Sequence, residues 1–258
     1  MESLKRLIYP GVLLFAFALL ATFKIVLNFD FKIISSLALT VTILVVAALE
    51  YLIPFRKDWR ISKGDILSDF MYTMILFPLV VSICQYLVQS APASLTMWNL
   101  SSFPIWIQCL LCLLTAEFLF YWLHRIFHTQ ALLWKVHYKH HSVQRVYWMN
   151  SGAFNPIDLF LNFFIYCLPF AFLKTNPMTF EYVLYFSAVT GLMEHANINF
   201  KAGALNYIFN TAELHRWHHS LDFKESRTNF GKALSIFDLL FSTFKYSSTD
   251  QVRKVGVE

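Results

Sequence analysis

Over long stretches of the first half of this chain charge disappears, and the apolar residues run on without the alternation of a strand or the one-sided stripe of a water-exposed helix. Residues 7–23 carry no charge and are flanked by Lys5, Arg6 and Lys24, which predicts a first membrane span. The small-x-small triplet Ala16-Phe17-Ala18 lies inside that run and a second apolar run follows at once, so an uncleaved helix is expected in place of a signal peptide. Residues 33–53 predict the second span, with Glu50 near its end and Pro54 closing it. Residues 70–116 contain no charged residue, room for two helices at about 20 residues per crossing, and the polar stretch 90–102 divides them.

Two shorter apolar runs, 159–173 and 182–193, are bounded by Asp158, Lys174, Glu181 and Glu194. At about 1.5 Å per residue neither reaches across a hydrocarbon core of about 30 Å. They predict a helical hairpin, residues 156–193, that dips into the membrane, with a pair of short tilted spans as the alternative. The tail from Ser247 is polar and is expected to fray. The fold class that follows is an all-α integral membrane protein. Its four transmembrane helices occupy residues 1–123, and a histidine-rich helical cap that includes the hairpin occupies 124–258.

Composition agrees with this pattern and removes alternatives. The chain is 57% hydrophobic and 14% charged, and its seven glycines and eight prolines favour helices over a barrel. A net charge of +5 without a basic run gives no nucleic-acid footprint. Lysine and arginine crowd the N-terminus, the linker with Arg56, Lys57, Arg60 and Lys63, and the histidine region, while residues 90–102 have none. By the positive-inside rule the cap then lies on the cytoplasmic face. Cys84, Cys109, Cys112 and Cys167 sit in apolar segments and are expected to pack helices.

The polar chemistry is concentrated in nine histidines, all between residues 124 and 219. In a helix His124 and His128, at i and i+4, share a face, as do His137, His140 and His141, and His215, His218 and His219 repeat that spacing. His195 stands in EHANINF. Imidazole suits iron, zinc, copper or nickel, and eight such nitrogens exceed what one ion can use, so two metals are expected. Arg125, Tyr138 and Arg216 follow the first histidine of each box where a zinc protease would carry glutamate. Glu117 falls on one helix face with Tyr121, His124 and His128 and is the leading carboxylate to accept the outer N–H of a ligating histidine, with Glu194, Glu213 and Asp238 as further candidates. Trp122, Phe127, Trp134, Tyr147, Trp148 and Trp217 are candidates to line a lipid tunnel.

The pieces HRIFH, HYKHHS, EHANINF, HRWHHS and NFGKALSIFDLLFSTF, spanning roughly residues 104–245, resemble the fatty acid hydroxylase and sterol desaturase family of membrane diiron enzymes. The resemblance implies four membrane helices under a cytosolic cap, two iron ions, O2, a lipid that is hydroxylated or desaturated, and electrons from a separate protein. It makes His124, His128, His137, His140, His141, His215, His218 and His219 metal ligands and His195 a ninth ligand or its support. Many members carry Arg and His where this chain has Ala153 and Asn155. Asn155 is expected to support the metals through its carbonyl oxygen. The rival classes are a membrane metal-binding or transport protein, whose ligands would lie within the spans, and a metal-dependent lipid hydrolase, for which Glu194 beside His195 is the candidate base.

Overall fold

A computed structural model describes residues 2–257. Four helices are long and apolar enough to cross a membrane: α1 (Glu2–Val26), α2 (Phe31–Leu52), α3 (Ile66–Gln89) and α4 (Ile105–Phe127). They are followed by α5 (Ala131–His141), α6 (Pro156–Cys167), α7 (Pro177–His195), α8 (Ala212–His218) and α9 (Ile236–Leu240). The chain is an all-α integral membrane protein, and nearly every backbone polar group in its spans is satisfied within the helix, as a lipid surround requires. One departure is a wide turn in α3, Tyr72–Leu76, of the type that re-aims side chains at functional sites.

The hairpin differs from expectation. It goes through the bundle instead of dipping into it: its tip, Leu173–Lys174, pairs in parallel with Trp98–Asn99 of the turn between α3 and α4, at the end of the bundle away from the histidines. Met97 N donates to Phe172 O and Leu100 N to Lys174 O, both at 2.8 Å. Helix α7 runs beside α1 over its whole height, from Lys24 Nζ on Tyr182 OH at 3.1 Å to Met193 packed in one cluster with Tyr9. Its 19 residues give about 28 Å, although the apolar run inside it is shorter. A run too short to cross lipid by itself can still reach the far end of a bundle when protein partners surround its charged ends. Here the bounding charges are satisfied by protein: Asp158 by His137 and Asn162, Glu181 by Gln85, Glu194 by Asn210.

Asparagine caps start both arms of the hairpin. Asn155 Oδ1 accepts from Ile157 N and Asn176 Oδ1 from Met178 N, each at 2.9 Å and each followed by proline at the first helical position. The cap is tied to the span ends by buried polar contacts. Glu50, at the end of α2, accepts from Trp148 N and Asn197 N at 2.8 and 2.7 Å, and Asp69 in α3 accepts from Tyr147 OH at 2.8 Å. Gly152 lets the cap meet α3, since a Cβ there would stand 2.8 Å from Thr73.

The C-terminal tail also departs from expectation. Leu221 N donates to Lys254 O and Gly256 N to His219 O, at 3.0 and 3.1 Å, and Val252 is buried. A polar tail is held here because its backbone closes the loop after the third histidine box. The boundary expected at 123/124 falls inside α4, so His124 stands on a span itself.

Four single-cysteine variants in a cysteine-free background test this topology: Ser62→Cys, Thr96→Cys, Ser142→Cys and Lys174→Cys. An impermeant thiol reagent should label positions 96 and 174 from one side and positions 62 and 142 from the other. Labelling of position 174 from the same side as position 142 would restore a dipping hairpin.

Candidate metal centre

The four helices that carry the boxes bring all nine histidines together in two buried groups. His124, His128, His137, His141 and His218 form the first, and His140, His195, His215 and His219 the second. Each HxxHH box divides between them in opposite senses. The second box gives His137 and His141 to the first group and His140 to the second, whereas the third box gives His218 to the first and His215 and His219 to the second. The i and i+4 histidines stay together and the i+3 ring turns to the neighbouring group.

The tautomers follow from the outward bonds. His124 Nδ1 faces Phe230 O at 2.8 Å, His218 Nδ1 faces Thr228 O at 2.8 Å and His195 Nδ1 faces Gly191 O at 3.0 Å. A carbonyl only accepts, so each Nδ1 holds the proton and each Nε2 presents a bare lone pair to the interior. His137 Nδ1 does the same to Asp158 Oδ2 at 2.9 Å. The inward nitrogens then crowd one another: His124 Nε2 is 3.1 Å from His137 Nε2 and 3.0 Å from His218 Nε2, and His215 Nε2 is 3.0 Å from His195 Nε2 and 2.9 Å from His219 Nε2. In the first group, where His124, His137 and His218 all have their outward nitrogen protonated, bare lone pairs face one another and repel unless a cation sits among them. Two metal–imidazole bonds of about 2.1 Å set their nitrogens about 3.0 Å apart at a right angle and about 3.4 Å apart at the tetrahedral angle. The observed spacings fit those edges, so the residues present fit a metal in each group.

Burial and the neighbouring rings push His140, His141, His215, His218 and His219 well below the ordinary imidazole value. They are therefore neutral, the form that ligates.

The supporting groups are arranged around the rings. Asp158, buried at the start of α6, holds His137 through Oδ2 and Asn162 through Oδ1. Glu194 Oε1 lies 3.0 Å from His215 Nδ1 and accepts from Asn210 at 2.7 Å. Glu117 touches no histidine. It accepts from Ala233 N and Leu234 N at 3.0 and 3.1 Å, while Asp238 takes Phe230 N and Gly231 N at 2.7 and 2.8 Å. Together they clamp the loop whose carbonyls orient His124 and His218. In that loop Asn229 holds a left-handed φ of 56°, and a Cβ on Gly231 would lie 2.2 Å from Leu234 O. Glu213 is likewise one step removed, on Ala202 N and Asn206.

Asn155 caps a helix: it is half-buried and its oxygen accepts from Ile157 N at 2.9 Å. Asp158, three residues on, reaches a histidine in hydrogen-bonding geometry, and Glu194 lies within 3.0 Å of another. In the sequence Asp158 borders the apolar run 159–173, and a lone acid at that border is the signal that marks it. Of the six tunnel candidates only Trp148 lines the cavity. Phe127 stacks on His137 and Trp134 packs on His128 and His141, filling the space behind the rings. The cavity, about 430 Å³, is walled instead by Phe77, Phe120, Phe154 and Phe163 and reaches His124, His137, His140, His195 and His215. It fills the seam between α2, which packs on α1 and α7, and α3, which packs on α6.

The fold and site define an integral membrane protein with a buried nine-histidine centre able to hold metal at the end of an apolar cavity. The fatty acid hydroxylase family profile matches residues 109–243, and the chain belongs to that family. It is similar to an ornithine lipid hydroxylase, OlsE, of Rhizobium tropici, with 32% identity over 81% of this chain and 67% of the relative. It is also similar to the alkylglycerol monooxygenase of Homo sapiens, 27% identical over 51% of this chain and 29% of the relative, and to methylsterol monooxygenase 2-2 of Arabidopsis thaliana, 27% identical over 62% of each. The chain thus spans under two thirds of the length of most of these relatives. No solved structure matches it.

Asp158→Asn should weaken metal retention about 10- to 100-fold, as loss of an outer carboxylate does at histidine sites, measured by metal content against a chelator series. Asn155→Ser should keep metal content and thermal stability, while Asn155→Ala should cost about 1 kcal/mol as a lost cap. In metal-free protein the five shifted histidines have folded values below unfolded ones, so the unfolded chain binds more protons under acid. Their contribution is present above about pH 6.5 and is lost as pH falls below it. The melting temperature of chelated protein should drop between pH 7 and 5 and that of metal-loaded protein less, as scanning fluorimetry would show.

Proposed function

We propose that this chain is an O2-dependent membrane oxidoreductase that hydroxylates or desaturates a lipid, with one iron ion in each histidine group. The observation that carries this reading is the pair of buried, neutral imidazole groups with inward lone pairs at the end of an apolar cavity that runs between membrane helices. Iron in such a shell supplies the O2-derived oxidising power that an unactivated C–H bond needs. The protein's own part is to bind, orient and exclude water. Phe77, Phe120, Phe154 and Phe163 present an apolar wall to the chain of the lipid, and Asp158 and the carbonyls of Phe230, Thr228 and Gly191 keep His137, His124, His218 and His195 in one tautomer.

The relatives' names point the same way, each to a lipid and most to a monooxygenation. Lysine and arginine asymmetry supports a centre on the cytoplasmic side, where a separate electron-transfer protein would reach it. The rival readings fit less well. A transporter would spread its ligands along the spans, whereas all nine lie at one end, and Glu194, the base a hydrolase would need, is taken up by Asn210 and His215.

Membranes of cells expressing the chain should contain a lipid that has gained one oxygen or lost two hydrogens, absent from cells expressing His140→Ala or His218→Ala. Metal analysis of the purified protein should give about two ions per chain, with iron in the active form. Unchanged lipid profiles with a metal-replete protein and an added reductase would overturn the reading.

A further inference from the structure

The cavity wall beside the histidines carries two polar atoms that touch no histidine, the Lys232 ammonium and the Asn162 amide oxygen. Lys232 is the one lysine or arginine that lines the cavity among the described residues. Its ammonium donates to Ser187 O at 3.2 Å and to the Ser187 hydroxyl, which leaves one of three N–H bonds. It stands 5.0 Å from the centre of the Tyr166 ring and 5.8 Å from that of Phe163, and so faces α6.

On α6, Asn162 precedes Phe163 by one residue and Tyr166 by about one turn, and it lines the same cavity. Its Nδ2 donates to Asp158 Oδ1 at 2.7 Å, which fixes the orientation of the amide. Its Oδ1 is buried with no partner, and the residue is 4% exposed. An amide oxygen is seldom buried unpaired without a reason. A spare donor and a spare acceptor thus belong to two residues that line one cavity, both within a largely aromatic wall.

We propose that Lys232 and Asn162 form a donor–acceptor clamp for a hydrogen-bonding group of the lipid, and that this clamp selects which carbon faces the histidines. The inference rests on the lipid-oxidation reading and adds a requirement to it. Lys232 gives an N–H to an oxygen of the lipid, and Asn162 Oδ1 takes an N–H or O–H. A secondary amide supplies both partners in one group. An ester supplies the oxygen alone, and a hydrocarbon supplies neither and would leave both protein groups unpaired.

Three probes of equal chain length separate these cases: N-methylhexadecanamide, methyl hexadecanoate and octadecane, titrated into metal-loaded protein in mild detergent. The wild type should bind amide, ester and hydrocarbon in that order, with steps of about 10-fold for each hydrogen bond formed to a buried group. Lys232→Met should remove the advantage of the ester over octadecane. Asn162→Leu should remove the advantage of the amide over the ester and leave the ester's intact. Octadecane affinity should stay at the wild-type level in both variants, and a cooperative thermal transition marks them as folded; because Asn162→Leu also frees Asp158 Oδ1, the affinity ratios are compared at matched metal loading. If Lys232→Met does not fold, Asn162→Leu still tests the amide–ester step. Equal binding of all three probes by the wild type, or folded variants that keep the full order, would overturn the clamp while leaving lipid oxidation standing. Failure of octadecane and both polar probes to bind at all would instead remove the lipid reading on which it rests.

Discussion

Bare nitrogen lone pairs point at one another inside this protein, and the architecture around them is arranged to hold that repulsion in place until a cation relieves it. Each outward Nδ1–H that meets a carbonyl or carboxylate forces the matching Nε2 inward, where another Nε2 waits about 3 Å away. Burial makes protonation unfavourable, so the repulsion cannot be relieved by becoming imidazolium. A bound cation relieves it, and the free energy of metal binding is then part of the stability of the cap. The chain answers by gathering α4, α5, α7, α8 and the loop 228–234 around the centre.

Much of the remaining polar chemistry serves that convergence. Glu117, Asp238 and Asn229 never meet an imidazole, yet they hold the loop 228–234 in the one path that aims the carbonyls of Thr228 and Phe230 at His218 and His124. Glu50 and Asp69 do the equivalent work between the cap and the ends of α2 and α3. These acids sit at span ends, where an unpaired charge would be costly, and backbone N–H groups or a phenol satisfy them. The hairpin is the third tie. By passing through the bundle it brings Leu159 and Asn162 of one arm and Gly191, Glu194 and His195 of the other to the cavity wall.

Hydropathy along the chain was enough to place the four long helices, because an uncharged run of about 20 residues has few other stable forms. Spacing was enough to show that the histidines act as sets: i, i+3, i+4 positions put rings on one face whatever surrounds the helix. Local rules explain the cap at Asn155 too, since asparagine before proline caps a helix. Packing in three dimensions resolved what spacing leaves open. The division of each box between two groups depends on how α4, α5 and α8 are turned against one another, which no single helix encodes. The passage of the hairpin through the bundle depends on protein partners for Asp158, Glu181 and Glu194, and hydropathy does not record partners. The same holds for the acid that reaches an imidazole: Glu117 had the right helical phase and is turned to a loop, while Asp158, distant from His137 along the chain, is brought within 2.9 Å of it by the fold.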